Sequence, residues 1–187
     1  MRQITIPSSI PSVQSYKRGK NYVLHDPSQM SNPTYYKNVL AKAKQSIRII
    51  DPYALCHDAE GVFENVKQSG IKIEIITIGS SHNDAKDYAN KFARVIEKNR
   101  CEYNLEIFSF KPNNRVIYLW HDRYLIVDDT DYYLIGSSLD AQVKSDRYHG
   151  IYKLTEDEDK RIVKDIYQEI KAKYNSKCAY KITRKKP

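Results

Sequence analysis

The chain has 187 residues, long enough for one domain with its own hydrophobic core and too short to argue for two. A formal net charge of +8 favours acidic partners, nucleic acid or an anionic membrane surface, without choosing between them. Cys56, Cys101 and Cys178 form no CxxC pair and accompany no histidine cluster, so neither a disulfide framework nor a zinc site organises the fold. The N-terminal MRQITIPSSIPS lacks the apolar core of a signal peptide, and no segment has the roughly 18–20 apolar residues of a spanning helix; a soluble, cytoplasmic protein is expected.

In chain order, residues 1–32 carry Pro7, Pro11 and Pro27 and read as an irregular arm or a few short strands. After Pro33, which suits a first helical position with Asn32 as cap, TYYKNVLAKAKQS has Tyr35, Val39 and Ala43 at helical spacing. Ile47, Ile49 and Ile50 then form a strand that Asp51-Pro52 must end. Asp58 to Ser69 reads as a short helix closed by Gly70, and β-branched residues from Ile71 give the next strand.

Asn83 or Asp84 can cap a helix whose Tyr88, Phe92, Val95 and Ile96 make one apolar stripe. Strands follow near 104–110, between 115 and 128, over DYYLIGSS, and over HGIYKLT. EDEDKRIVKDIYQEIKAKY reads as a terminal helix with acids in its first turns, where the helix dipole favours them. The last seventeen residues hold seven Lys or Arg and no acid, which reads as a helix end and a basic tail over 177–187. The expected architecture is α/β: one domain over 33–176, a mixed sheet with helices on both faces. In Tyr35-Tyr36 and Tyr132-Tyr133, alternation turns one ring inward and leaves its neighbour for an interface, or for stacking on bases.

The chemistry concentrates in WHDRYLIVDDTDYYLIGSSLD. Strand alternation puts His121 and Arg123 on one face about two residue rises, roughly 6–7 Å, apart. The next strand can return the backbone of Gly136 and the N–H groups and hydroxyls of Ser137 and Ser138 to the same sheet end, completing an anion site that a phosphate would satisfy. A neutral imidazole can attack phosphorus where an anionic nucleophile is repelled, and a guanidinium can neutralise the phosphoryl oxygens. Neither role needs a metal or another cofactor. Asp128 lies on the opposite face by alternation and reads as holding the strand end through hydrogen bonds. Asp51-Pro52-Tyr53 can wall the pocket, and Lys111 and Arg115, beside the polar turn of Asn113 and Asn114, can contact a nucleic-acid backbone.

The run HDRYLIVD, with His121, Arg123 and Asp128 at the spacing H-x-[K/R]-x4-D, followed by GSSLD, resembles the signature of the phospholipase D superfamily, where a lysine commonly stands in place of Arg123. It also resembles small bacterial and archaeal phospholipase D-like domains and, less closely, the similar domain at the end of some microtubule-interacting-and-transport proteins. The resemblance implies a catalytic set of His121, Arg123, Asp128, Ser137 and Asp140 with Gly136 and Ser138 binding substrate, to which the polar turn adds Lys111 and Arg115 as candidate substrate-binding residues. It further implies two motifs about a two-fold arrangement, one histidine attacking phosphate and the other protonating the leaving group. This chain has one motif, so the second histidine would come from a homodimer. Leu139 departs from the family's usual Asn after GS, and Asp140 is the next polar residue, placed to orient an imidazolium or cap a helix.

The function these features imply is a metal-independent phosphodiesterase, most simply a nuclease acting on DNA through a covalent phosphohistidine. The alternative is a catalytically degenerate domain of the same fold that binds nucleic acid, phosphoinositide or a partner protein.

Overall fold

The computed structural model describes residues 22–25, 34–54, 59–78, 82–99, 101–110, 122–136 and 149–186. Among the described residues eight strands form one sheet: β1 (Tyr22–His25), β2 (Ser46–Ile50), β3 (Ile71–Ile78), β4 (Tyr103–Phe110), β5 (Arg123–Val127), β6 (Asp131–Ile135), β7 (His149–Leu154) and β8 (Cys178–Lys186). Their spatial order is β1-β7-β6-β5-β2-β3-β4-β8. Among the described residues only β2–β3 and β3–β4 pair in parallel, and each of these connections carries a helical crossover. The helices are α1 (Thr34–Ala41), α2 (His82–Lys98) and α3 (Asp157–Lys177), with a 3-10 helix over Ala59–Asn65.

Alternation in the strands feeds two cores. Ile47, Ile49, Ile71, Ile73, Ile75, Leu105, Ile107 and Leu125 face α1, α2 and the 3-10 helix. Helix α2 contributes Tyr88, Ala89, Phe92 and Ala93, and the Phe92 ring meets Phe63 and Tyr103 edge-on, with centroids 4.8 and 5.6 Å away. On the other face, Ile50, Ile76, Phe108 and Ile126 meet Val163, Ile166, Tyr167 and Ile170, an i, i+3, i+4, i+7 stripe of α3. The mixed α/β sheet with helices on both faces is thus the architecture the sequence implies.

Three readings change. The short helix expected over 58–69 is a 3-10 turn ending at Asn65, with Gly70 in the left-handed region at φ 77° where a non-glycine residue is strained. Tyr132 and Tyr133 are both buried, because both faces of the sheet are covered and alternation sends each ring into a different core. The segment read as a basic tail is strand β8, paired antiparallel to β4 with Ile182 opposite Ile107. Its lysines obscured a strand pattern, yet they are the residues that blunt a sheet edge against further pairing. Strand β1 lies within residues 1–32, read as an irregular arm or a few short strands, and pairs with β7.

A buried carboxylate ties α3 to the sheet. The Glu74 side chain, 1% exposed, accepts hydrogen bonds from Arg48 Nε (2.9 Å), the Tyr167 hydroxyl (2.8 Å) and Lys171 Nζ (2.8 Å). Burial alone would raise this carboxyl, but the bonds from Lys171 and Tyr167 and the charges of Lys171 and Lys72 outweigh it and hold it at about 2. Arg48 also pairs with Asp129, and its guanidinium lies 5.1 Å from the Tyr167 ring centroid.

Replacing Glu74 with Gln leaves two cations poorly matched against the sheet, and urea denaturation at pH 7 should show a loss of about 3 kcal/mol. Because the folded carboxyl lies below its usual 4.5, its contribution is complete above that pH and fades as pH falls toward about 2, so the mutational penalty should shrink across that window. Truncation after Lys177 removes β8 and bares the edge of β4; light scattering and thermal melts should show aggregation and a lowered Tm, whereas a solvated tail would leave both unchanged.

Candidate active site

The site sits where strands of opposite direction meet. Parallel β2 and β3 end at Ile50 and Ile78, with Asp51 next after β2, while antiparallel β5 begins there with Arg123, because the register pairs Ile50 with Tyr124. The β5–β6 register pairs Arg123 with Ile135, which brings Gly136 to the same sheet end. Asp122, Arg123, Gly136 and Asp51-Pro52-Tyr53 are therefore neighbours, although they come from three separate parts of the chain.

Arg123 shares its face of β5 with Leu125 and Val127, so its stem runs beside the α1-side core toward Tyr36, Ile49 and Ile135, which line a narrow cleft with Asp51. Its Nε is 3.4 Å from Asp51 Oδ1, an ion pair without hydrogen-bond alignment, and that buried Nε has no hydrogen-bond partner. The guanidinium carbon lies 5.6 Å from the Tyr53 ring centroid. Asp51 is 2% exposed, and its Oδ1 also accepts the Tyr53 backbone N–H at 2.8 Å. Burial pushes the Tyr36 phenol far above its usual range, and the negative charge of Asp51 adds to the effect. The Tyr124 hydroxyl donates to Asp122 Oδ2 at 3.3 Å; burial and that carboxylate raise it to about 12.

Asp128 stands at the far end of β5 from Arg123. It opens a tight turn in which Asp128 and Asp129 have φ of 54° and 57°, a left-handed pair that Asp tolerates better than most residues. Its carboxylate accepts the backbone N–H groups of Lys44 (2.9 Å), Gln45 (2.7 Å) and Ser46 (2.9 Å), and its own N–H donates to the Ser46 carbonyl at 2.9 Å. Asp128 thus holds the end of β5 to the α1–β2 connection through hydrogen bonds, the role that strand alternation suggested for it.

Arg123 and Gly136 are thus brought together by the sheet. His121, Ser137, Ser138, Asp140, Lys111 and Arg115 lie outside the described residues. The sequence reading treated Asp51 as a wall and missed it as the ion partner of Arg123. A carboxylate at the end of a strand was the available signal, but the pairing becomes visible only once β5 is known to lie antiparallel beside β2.

A family model described as cardiolipin synthase, PLD-like domain, matches residues 36–170. No curated protein matches in sequence. Among solved structures, NucT from Helicobacter pylori is similar with a TM-score of 0.57 at 15% identity, covering 84% of this chain and 95% of that one. Nuc from Salmonella typhimurium, a phospholipase D family member, gives 0.54 at 11% identity, covering 88% and 98%. TrmBL2, an archaeal chromatin protein, gives 0.49 at 15% identity; the match covers 90% of this chain but 55% of TrmBL2. At these identities the likenesses to NucT and Nuc speak to fold alone.

Asp128→Ala removes the acceptor of three backbone N–H groups and a residue suited to positive φ, and should lower stability by about 2 kcal/mol in thermal or urea melts, with Asp128→Asn losing less. Burial would raise this carboxyl, but the bonds from Ser46, Gln45 and Lys44 hold it below its usual 3.8; its contribution is therefore present above that pH and lost as pH falls further.

Proposed function

This chain belongs to the family of phospholipase D-like domains matched over residues 36–170, and from that premise we propose that it is a metal-independent phosphodiesterase acting on nucleic acid, DNA first, as a homodimer. The observation that supports the reading is the convergence of Arg123 and Gly136, the two described parts of HDR…GSS, at one sheet end. The imidazole of His121 attacks phosphorus, a P–N bond forms, and the P–O bond to the leaving strand breaks. The partner subunit's His121 delivers a proton to that oxygen. Water then attacks the phosphohistidine, giving its proton back to the same imidazole, and the P–N bond breaks. Arg123 neutralises phosphoryl oxygens, Gly136, Ser137 and Ser138 supply N–H and hydroxyl donors, Asp140 orients an imidazolium, and Lys111 and Arg115 hold the flanking backbone.

One observation favours the second reading, a non-catalytic anion-binding domain. The charge of Arg123 already faces a buried carboxylate at 3.4 Å, so a phosphate meets a partly neutralised cation. In cellular terms the protein is proposed to be cytoplasmic; among the described residues no helix is long and apolar enough to cross a membrane.

Purified protein should cleave DNA in EDTA, run as a dimer in light scattering, and lose cleavage on His121→Ala, with Arg123→Ala reducing both turnover and binding. Cleavage that requires added Mg²⁺, or that survives His121→Ala, refutes the phosphohistidine route. Binding without cleavage by a strict monomer moves the chain to the second reading.

A further inference from the structure

Among the described residues, Tyr53 is the most exposed large apolar side chain, at 56%, while its neighbours Asp51, Pro52 and Ala54 are buried. Single exposed aromatics are common on protein surfaces and ask for no explanation. This one differs in how firmly its backbone is held. The Tyr53 N–H donates to Asp51 Oδ1 at 2.8 Å, and the Ala54 N–H donates to the Asp51 carbonyl at 3.2 Å. The Pro52 carbonyl accepts the Ile78 N–H at 3.2 Å and the Thr77 hydroxyl at 3.1 Å, and the Asp51 N–H donates to the Ile76 carbonyl at 3.0 Å. The turn is thus tied to β3 along its length, and Pro52 fixes its own φ. A ring on such a turn loses little conformational freedom when something stacks on it.

Its location supplies the ligand chemistry. The guanidinium carbon of Arg123 lies over the ring, 5.6 Å from its centroid, so one face of the ring is turned to the charge proposed to hold a phosphate while the side chain is still largely exposed. A nucleotide presents that combination, an anionic phosphodiester with a planar base one sugar away. A glycerophosphodiester has the phosphate and no planar face. In duplex DNA the bases are already stacked and paired, and only an unpaired strand can turn one onto an outside ring.

We propose that Tyr53 is the stacking platform for a base flanking the phosphate at Arg123, and that the substrate is accordingly single-stranded nucleic acid. The proposal rests on the phosphodiesterase reading and narrows its substrate. Tyr53 acts in recognition rather than in the chemical step, and the aromatic ring, not the hydroxyl, carries the effect.

The test compares a fluorescent single-stranded oligonucleotide with the same strand carrying abasic sites at alternate positions, by anisotropy titration and by cleavage in EDTA, for wild type, Tyr53→Ala and Tyr53→Trp. Wild type should prefer the strand with bases by roughly five- to 150-fold in Kd, the range one base–aromatic stack contributes. Tyr53→Ala should close that gap to within twofold, and Tyr53→Trp should keep it. A gap that persists in Tyr53→Ala, or a wild type that binds and cleaves both strands alike, overturns the stacking role while leaving the phosphodiesterase reading intact. A wild type that ignores both strands but binds vesicles containing an anionic phospholipid overturns both.

Discussion

One carboxylate sets the register on which the candidate site depends. Asp128 gathers three consecutive backbone N–H groups from the connection that leads into β2, and its own N–H bonds the carbonyl of Ser46. This pins the end of β5 to the start of β2, with Val127 opposite Ile47. A strand of five residues, Arg123 to Val127, then places its first residue beside Asp51 at the other end. A slip of one residue would turn Leu125 and Val127 out of the α1-side core and carry Arg123 to the opposite face. The site is thus held from its far end, by another residue of the same sequence motif.

The same constraint explains why the sheet needs helices on both faces. Inserting β5 antiparallel beside two parallel strands leaves Tyr124 and Ile126 on the side away from the α1 core, and α3 covers them together with Ile50 and Phe108. Across that second interface the polar side chains of Arg48, Glu74, Tyr167 and Lys171 form one connected group, with the Lys171 ammonium 3.8 Å from the Phe108 ring centroid. Hydrophobic contact presses the helix to the sheet without fixing its sliding, whereas hydrogen bonds that must all be made at once select one position along the strands.

Much of this was legible from residue pattern. The isoleucine-rich strands, the stripe of α2 and the acid-led start of α3 are local signals, and each corresponds to an observed element. What stayed hidden was long-range or disguised. The strand over Cys178–Lys186 is rich in lysine and arginine because it lies at an edge, so its composition mimics a tail. Burial of both Tyr132 and Tyr133 needs cover on both faces of the sheet, with Tyr132 in the cluster that holds Val163 of α3 and Tyr133 in the α1-side core, and no local pattern pairs β6 with either. The partnership of Asp51 with Arg123 joins residues that no spacing rule connects, since strand order is a property of the whole fold.

That partnership also bears on what an arginine, rather than a lysine, does at this position. Asp51 is buried 3.4 Å from the Arg123 Nε, close enough for an interaction of about 5 kcal/mol at an effective dielectric of about 20. A lysine ammonium is a single point charge, and pairing it with a buried carboxylate would commit that charge entirely. A guanidinium spreads its charge over a fork of five N–H donors and can turn one edge to Asp51 while offering another to an anion. Asp51 and Arg123 are therefore matched to each other. The carboxylate limits the directions the side chain can take, and the fork keeps donors that Asp51 does not engage, at the cost of part of the electrostatic attraction that a free cation would exert.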